Sequence, residues 1–288
     1  MFQRQYAKLC DLPDFEDPDL RARIREIAPG PEEEELHRKN WEYAMLALFL
    51  EDVGLLDDEA RVLSVGAGHE EVLFWLANKV GRVVATDLYG EGDFSGREAA
   101  VTMLDDPSAF APYPYREDRL EVLKMDGRAL DFPDGSFEAV FSLSSIEHFG
   151  KPAEISQAAR EIGRVLRPGG YAFVVTECFV DRHVLNSKLV QTAIRGLTLG
   201  RRASTATPQT RMLSVFTSEE LTRYIVSPSG LELLQPLDRS ISSEAWENLI
   251  HWRGSGELTP ATGHDFPHIL LKAHGSAWTS VALPLRKP

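Results

Sequence analysis

The sequence predicts an α/β fold in which a doubly wound, mostly parallel sheet of seven strands carries helices on both faces. Hydrophobic runs alternate with helical patterns, and the runs predicted as strands are residues 61–65, 82–86, 120–125, 138–143 and 171–177. The first run leads directly into a Gly-x-Gly turn at Gly66 and Gly68 and then into a helix. The second run ends in an acid, Asp87, which lies 21 residues after Gly66 (87 minus 66). Sheets of this kind hold ligands beyond the carboxyl ends of their strands.

Helices are predicted ahead of this sheet. We therefore assign residues 1–58 to an N-terminal helical extension and residues 59–288 to the main domain. Pro31 and the glutamates that follow it predict a helix start with a solvated, acidic first turn. Farther along the same helix, an apolar stripe at helical spacing is formed by Trp41, Met45, Leu48 and Phe49. Trp41 and Tyr43 either pack in the core or border a binding site.

In the last part of the chain, predicted strands and helices alternate less regularly. A helical stripe over residues 155–166 ends at an Arg-Pro-Gly-Gly turn, residues 167–170, before the fifth strand. A capped helix is predicted to start at Ser218 or Thr217. Late strands are predicted at residues 231–237, 268–273 and 277–285. Between the fifth predicted strand and this helix, residues 181–216 hold six basic residues and one acid, although the whole chain has a net charge of −13.

The glycine turn indicates which kind of ligand the sheet holds. Gly66 and Gly68 can adopt backbone conformations closed to other residues, and they let a ligand approach the main chain at a helix N-terminus. An acid such as Asp87, about 20 residues farther on, suits a ribose diol. A dinucleotide fingerprint would need glycine at position 71, where this chain has Glu71 beside Glu70. These carboxylates complement the helix dipole, and they would repel a pyrophosphate but not an ammonium and a sulfonium. S-adenosylmethionine therefore fits better than NAD or FAD.

Four blocks of the sequence carry a family resemblance. They are residues 62–70, 83–90, 125–150 and 162–176, and their order and spacing resemble class I S-adenosylmethionine-dependent methyltransferases of the methyltransferase-11 type. The likeness extends from about residue 60 to residue 177. It implies a Rossmann-like fold whose sheet closes with an antiparallel hairpin. The chain departs from the family at Ser64, where an acid is common, and at Glu70, where a third glycine is common.

The resemblance implies which residues serve the cofactor, S-adenosyl-L-methionine, and its product, S-adenosyl-L-homocysteine. Asp126 either accepts a hydrogen bond from the adenine amino group or caps a turn. His148 is the best candidate base, because imidazole titrates near neutral pH, although it could instead orient the loop through hydrogen bonds. Glu147-His148 has no second pair of this kind, so we predict no metal. The implied cofactor-binding residues are Gly66, Ala67, Gly68, Asp87, Leu88, Asp126, Gly127, Ser142 and Leu143.

Two segments are candidates for binding loops. Residues 89–119 contain Phe94, Phe110, Tyr113 and Tyr115, and they form either a binding loop or a small core under a loop. Tyr89 is close enough to Asp87 to stack on adenine or touch the ribose. In the family, residues 181–216 occupy the position of an acceptor lid. Either this segment is a solvated lid, or Arg201, Arg202 or Arg211 binds a carboxylate or phosphate of the acceptor.

Composition limits the partners. The excess of acidic side chains disfavours nucleic-acid backbones, so we expect a small molecule or saccharide as the acceptor, with the protein a monomer or homodimer. Cys10 and Cys178 lie far apart and lack the spacing of a disulfide framework or a zinc site. The N-terminus lacks a basic region followed by an apolar run, and no stretch has the apolar length of a membrane span. We therefore expect a cytoplasmic protein.

The sequence thus predicts a methyltransferase that acts on a small metabolite or saccharide-type acceptor, at oxygen rather than at nitrogen or carbon. A nucleotide-dependent oxidoreductase or epimerase is disfavoured by Glu71 in the first helical turn. The alternative is a catalytically silent protein that binds S-adenosylmethionine or serves as a scaffold. Ser64 and the lack of a definite base leave that alternative open.

Overall fold

A computed structural model describes most of the chain and joins its strands in one sheet. It describes residues 2–31, 35–92, 94–96, 98–182, 196–197, 215–252, 258–260, 267–273 and 275–288. The strands are β1 (Arg61–Val65), β2 (Arg82–Asp87), β3 (Leu120–Lys124), β4 (Phe137–Leu143), β5 (Leu166–Asp181), β6 (Val215–Phe216), β7 (Glu232–Leu233), β8 (Ile250–Trp252), β9 (Leu258–Pro260), β10 (Leu271–Ala273) and β11 (Ser276–Arg286). Along the sheet their order is β3-β2-β1-β4-β5-β11-β10-β8-β9, with β6 on β5 and β7 on β11.

The helices lie between and around these strands. They are α1 (Pro18–Ile27), α2 (Arg38–Asp52), α3 (Glu71–Ala77), α4 (Pro152–Val165), α5 (Ser218–Leu221), α6 (Ser227–Ser229) and α7 (Ser243–Glu247), with a π-helical turn at Thr222–Val226 between α5 and α6. Short 3-10 turns occur at Leu12–Glu16, Val101–Leu104, Pro107–Phe110, Glu117–Arg119 and Ile146–His148.

Strands β1 to β5 form the parallel half of the sheet, as the sequence predicts. Neighbouring strands in the order β3-β2-β1-β4-β5 are all parallel, with Val62 opposite both Val83 and Ala139. The strand order reverses between β1 and β4, so the chain leaves the sheet in opposite directions on the two sides of this point. Such a switch point opens a crevice at the carboxyl ends of the strands, where α/β proteins bind their ligands. The doubly wound fold is confirmed.

The sheet has more strands than the seven predicted, and the additional ones lie beyond the parallel half. Among the described residues the sheet has eleven strands, and the additional ones are two or three residues long. Runs this short are too brief to show a hydrophobic period. The predicted strand at 277–285 matches β11, whereas those at 231–237 and 268–273 shrink to β7 and β10. The predicted closing hairpin is present, because β10 pairs with β11 in antiparallel register.

Helix α2 begins later than the sequence predicts. It starts at Arg38 rather than Pro31, because the His37 imidazole Nδ1 caps the helix by accepting the Lys39 amide at 3.0 Å. Glu35 is buried and receives a hydrogen bond from the Arg25 guanidinium at 2.7 Å, so it is not part of a solvated helix end. Residues 32–34 lie outside the described part of the chain.

Helix α2 is buried all round rather than along one stripe. Every residue from 41 to 50 is closed to solvent, because the helix is packed between α1 and β11. Trp41 is fully buried and its indole donates to Asp14 at 2.8 Å. The helix shares one hydrophobic cluster with Val62 of β1 and Phe141 of β4. Residues before 58 thus contribute to the core of the sheet, and the predicted division of the chain at that point stays a prediction.

Two stacked histidines join the start of α2 to the strand region at the C-terminus. The ring centroids of His37 and His268 lie 4.3 Å apart, and the rings are nearly parallel, with an interplanar angle of 3°. Backbone bonds accompany them, since His268 accepts from the Arg38 amide and donates to the Leu36 carbonyl. Burial, aided by neighbouring cations, lowers the pKa of His37 to about 4 and that of His268 to about 3.

We expect the free energy of unfolding to fall as the pH drops below 6.5. Unfolded histidines take up protons near that pH, whereas these two stay neutral until about pH 4 and about pH 3, so acid favours the unfolded chain. Each contributes a slope of up to about 1.4 kcal/mol per pH unit in this window. Denaturant titrations over this pH range should show a smaller slope for His268→Phe than for wild type. Equal slopes would contradict the assignment.

Candidate functional site

The glycine turn lies at the switch point of the sheet and is closely packed. Gly66 and Gly68 have φ values of +75° and +50°, in the left-handed region that favours glycine. The Gly66 and Ala67 amides donate to the Thr86 carbonyl at 2.8 and 3.0 Å, which ties the turn to the end of β2. A Cβ at Gly66 would lie 2.5 Å from the Cβ of Ser145, and one at Gly68 would lie 2.7 Å from the Glu98 carbonyl oxygen.

Asp87 is fixed to the same turn. Its carboxylate accepts hydrogen bonds from the Gly68 amide at 2.9 Å and from the Leu88 amide at 2.6 Å. Burial raises the pKa of Asp87, against the effect of these two bonds. A carboxylate has about four lone-pair sites, so Asp87 keeps capacity for further donors. The fold therefore brings this acid and the glycine turn together.

Tyr89 supports the turn from within the protein. The residue is fully buried and its hydroxyl donates to the Gly68 carbonyl at 2.8 Å. The roles considered for it in ligand binding, stacking on adenine or touching the ribose, stay predictions. Its hydrogen bond holds the backbone of the glycine turn in place.

Asp126 and Gly127 follow β3 at the same edge. The Asp126 carboxylate accepts from the Arg128 side chain at 2.7 to 3.0 Å and from the Arg128 amide at 2.9 Å, and the guanidinium lowers the pKa of this carboxyl. Arg128 also reaches Glu154 of α4 at 3.0 Å. Asp126 thus caps its turn, and its carboxylate is half exposed at the edge where adenine is expected. Gly127 is buried against Phe149, which would lie 2.7 Å from an added Cβ.

The end of β4 contains a strained residue and a buried hydroxyl. Ser144 has a φ of +51° and, within the described chain, it alone among non-glycine residues has a positive φ. Its hydroxyl donates to the Glu42 carboxylate at 2.7 Å. Ser142 is fully buried, and no described residue forms a hydrogen bond with its hydroxyl. Strain of this kind is maintained where the surrounding structure fixes it, and it is concentrated at functional sites.

Lys39 of α2 is a site residue that the sequence analysis missed. Its ammonium pairs with Glu70, lies 3.3 Å from Glu42 and donates to the Leu143 carbonyl at 3.1 Å. Burial disfavours the charged form, but the Glu70 and Glu42 carboxylates outweigh it and raise the pKa of Lys39. The ammonium also lies 5.4 Å from the Tyr43 ring. No local pattern predicts this position, because the contacts span 31 and 104 residues of sequence.

His148 and the preceding residue, Glu147, differ in burial. The side chain of His148 is exposed, and its ring lies 4.8 Å from that of Phe94. Glu147 is buried instead, and its carboxylate accepts the Thr176 hydroxyl at 2.9 Å. The residue directed into the protein after β4 is therefore the glutamate, not the histidine that was the predicted base.

The segment 89–119 divides into two parts. Tyr113 donates to the Ile27 carbonyl of α1 at 3.0 Å, and Tyr115 packs edge-on against Phe74 of α3, so both belong to a small core under the segment. Phe110 instead stacks on His69 in the glycine turn, with ring centroids 4.8 Å apart. Together with Glu98 at Gly68, this contact places part of the segment against the turn.

Other predicted features lie outside the described chain or stay predictions. Arg201, Arg202 and Arg211 of the proposed lid fall among the residues that the structure does not describe. Within the described residues, no three His, Cys, Asp or Glu side chains are grouped so as to hold a metal ion. Cys10 and Cys178 are buried free thiols. None of the helices in the described ranges has the length and apolarity needed to cross a membrane.

Comparison with known proteins identifies a family for the centre of the chain. Residues 63–174 match the family described as "Methyltransferase domain". "Methyltransferase GfsG" of Streptomyces halstedii is 30% identical over 110 residues, which are 38% of this chain and 35% of that protein. The match thus spans about a third of the length of this relative. The family match agrees, over residues 63–174, with the resemblance carried by the four sequence blocks.

Solved structures similar to this chain include two bacterial proteins. The YcgJ protein from Bacillus subtilis is 16% identical and aligns over 84% of this chain and 97% of its own, with a TM-score of 0.49. Geranyl diphosphate C-methyltransferase from Streptomyces coelicolor is 12% identical and aligns over 100% and 90%, also with a TM-score of 0.49.

Proposed function

Because residues 63–174 of this chain belong to the methyltransferase-domain family, we propose that the protein transfers a methyl group from S-adenosyl-L-methionine to a small acceptor. The observation that carries this proposal is the bond between Asp87 and the Gly68 amide at the switch point of the sheet. It joins a ribose-binding acid to a turn that exposes backbone, at the edge where such sheets bind ligands. When bound, the cofactor supplies a methyl group already activated by a sulfonium.

The residues at this edge match the parts of the cofactor. Asp87 holds the ribose, while Leu88, Asp126 and Gly127 line the place of the adenine. Gly66, Ala67 and Gly68 approach the amino-acid part through their backbone, beside Ser142 and Leu143 at the end of β4. Lys39 provides the cation that a carboxylate needs, so the extension 1–58 contributes to a site otherwise built by residues 59–288.

The acidic first turn of α3 supports an ammonium as the second charge. Glu70 is buried, and one of its carboxylate oxygens, Oε2, has no hydrogen-bond partner within the described chain. A buried oxygen without a partner is costly, and an ammonium donor would satisfy it. The Leu143 carbonyl and Glu70 both accept from the Lys39 ammonium, so a second acceptor borders the same place. A pyrophosphate would find only repulsion from Glu70.

The acceptor we propose is a small metabolite or a saccharide, methylated at oxygen. A hydroxyl must lose its proton as it is methylated, and the buried carboxyls of Glu42 and Glu147 lie beside the end of β4, where a proton acceptor is needed. The net charge of −13 disfavours nucleic acid as the acceptor. Because the sulfonium already activates the methyl group, the protein mainly has to align the acceptor with it.

Replacing Asp87 with alanine should weaken cofactor binding by about 1 to 3 kcal/mol, or about 5- to 150-fold in Kd, because hydrogen bonds to a charged group are removed. The variant also releases the Gly68 amide from its partner. Calorimetric titration with S-adenosyl-L-homocysteine measures the change. Asp118→Ala, at a distance from the edge in a 3-10 turn before β3, is the matched control and should bind as wild type does. Wild-type affinity in Asp87→Ala would contradict the ribose assignment.

Two measurements test the proposed function itself. Calorimetry should show binding of S-adenosyl-L-methionine and none of NAD. Release of S-adenosyl-L-homocysteine should then be followed with a panel of hydroxylated metabolites and saccharides. Absence of cofactor binding would refute the proposal. Binding without release on any acceptor would favour the silent, cofactor-binding protein instead.

A further inference from the structure

Four buried carboxyl groups surround the end of β4 and share two cations. Arg38 pairs with Glu177 at 2.7 Å, and Lys39 pairs with Glu70 and Glu42. These groups belong to residues that are each no more than 9% exposed, namely Glu42, Glu70, Glu147 and Glu177. Buried charges are normally paired, because an isolated ionised carboxylate costs far more than a hydrogen bond returns. The cluster therefore contains more acid than cation.

Glu147 is the member of this cluster without an ion pair. It is 4% exposed, and only one of its oxygens, Oε2, has a described partner, the Thr176 hydroxyl. The other oxygen, Oε1, is buried without a hydrogen-bond partner, and in the described chain no Lys or Arg lies within ion-pair distance. The charged groups that face it are Glu177 on β5 and Glu42 and Arg38 on α2.

The protonation state of Glu147 follows from this environment. Burial, reinforced by the nearby Glu177 carboxylate, raises the pKa of Glu147 from 4.5 to about 8. At neutral pH the group is therefore a neutral acid in the protein alone. A positive charge brought to the same edge favours the ionised form of a carboxyl group and lowers its pKa.

We propose that Glu147 is the proton acceptor of this site and that it becomes ionised when the sulfonium cofactor binds. This inference rests on the proposed function. It assigns the base role to a buried residue at the end of β4, whereas the exposed His148 was the candidate from sequence. Coupling of this kind gives the site a base only when the methyl donor is present, and it leaves Glu147 uncharged in the protein alone.

The step balances without any further reactant. The acceptor O–H bond breaks and its proton goes to Glu147 Oε1, while a bond forms between the acceptor oxygen and the methyl carbon. The methyl–sulfur bond breaks with its electron pair left on sulfur, which becomes a neutral thioether. The negative charge of Glu147 and the positive charge of the sulfonium thus disappear together.

Proton release on ligand binding tests the proposal without an acceptor. Calorimetric titrations in buffers of different ionisation enthalpy count the protons released when S-adenosyl-L-methionine or S-adenosyl-L-homocysteine binds. The two ligands share the ammonium and the carboxylate, so any response of Glu70 cancels between them. At neutral pH we expect the sulfonium ligand to release about one proton more. The affinity of S-adenosyl-L-methionine should also rise with pH more steeply than that of S-adenosyl-L-homocysteine. The difference is up to about tenfold per pH unit, and it ends at about pH 8.

Variants assign this difference to one residue. Glu147→Gln keeps the shape and should remove the difference in proton release, whereas Glu59→Gln, the same change at an exposed position, should keep it. Thr176→Val removes the donor to Oε2, so the pKa of Glu147 rises and the pH at which the difference disappears moves upward. This second variant keeps the test decisive if Glu147→Gln does not fold. With any acceptor that turns over, Glu147→Gln should lower kcat by about 10²-fold or more. By linkage, it should also weaken binding of S-adenosyl-L-methionine more than binding of S-adenosyl-L-homocysteine.

Three results separate the two proposals. Equal proton release by both ligands in the wild-type protein would overturn the role of Glu147 while leaving cofactor binding intact. A difference that persists in Glu147→Gln would overturn it as well. Failure of both ligands to bind would instead overturn the proposed function on which the inference rests.

Discussion

Replacing Lys39 with methionine is expected to destabilise the fold by about 3 to 5 kcal/mol and to weaken cofactor binding by about tenfold to a hundredfold. The ammonium is the cation shared by Glu70 and Glu42, which are both buried. Removing it takes the cation from both carboxyls and leaves Glu42 with only the Ser144 and Ser280 hydroxyls. Breaking a buried ion pair from one side is among the most damaging single changes. The same change removes the cation proposed for the methionine carboxylate.

Denaturant unfolding measures the first effect, and calorimetric titration with S-adenosyl-L-homocysteine measures the second. Lys79→Met is the matched control, because Lys79 is exposed after the C-terminus of α3 and its ammonium lies over the ring of Trp75. It should change neither quantity by more than about 0.5 kcal/mol. If Lys39→Met left both stability and affinity at wild-type values, the account of this cation would be wrong.

Gly66→Ala should lower cofactor affinity by about 10²-fold, because it displaces the turn that the ligand must approach. An alanine at φ +75° costs about 1 to 2 kcal/mol in backbone strain alone. Its Cβ would in addition lie 2.5 Å from the Cβ of Ser145, so the turn or the segment after β4 has to move. Ser145 itself donates to the Gly66 carbonyl at 2.6 Å, and this bond would be disturbed by the shift.

A second glycine separates strain from collision. Gly54 has a φ of +70° and no atom within 4 Å of an added Cβ, so Gly54→Ala carries the strain without the contact. It should lose stability by about 1 to 2 kcal/mol and keep its affinity for S-adenosyl-L-homocysteine. Equal affinity losses in the two variants would show that the packing of Ser145 on the turn does not matter.

The parallel half of the fold was predictable because its determinants are local. Residues 61–65 and 82–86 are hydrophobic runs of strand length, and Gly66, Gly68 and Asp87 follow them directly in sequence. Such features act within a few residues of each other, and the structure retains them as β1, β2 and the bond from the Gly68 amide to Asp87. The cofactor edge follows from the order of these strands.

The charged side of the site was not predictable, because distant segments form it. Lys39 reaches Glu70 and Leu143 across 31 and 104 residues, and Ser280 of β11 donates to Glu42 across 238. No sequence pattern within one helix predicts such contacts. The burial of Glu147 beside an exposed His148 was not predictable for the same kind of reason, since the direction of each side chain depends on how the 3-10 turn Ile146–His148 packs on β5.

Helix α2 shows how capping can override composition. Proline followed by glutamates favours a start at Pro31, but His37 caps the helix and pairs with the backbone near His268, so the regular helix begins at Arg38. This start brings Arg38 and Lys39 to the carboxyl edge of the sheet, where they pair with Glu177 and Glu70. The tertiary contact with the C-terminal strands thus decides which residues reach the site.

A crystal structure of the protein with S-adenosyl-L-homocysteine tests the central claim most directly. The account predicts that the ligand lies across the carboxyl ends of β1, β2 and β4, with its ribose hydroxyls bonded to Asp87 and its carboxylate near Lys39. A ligand bound elsewhere, or one whose ribose makes no contact with Asp87, would contradict it.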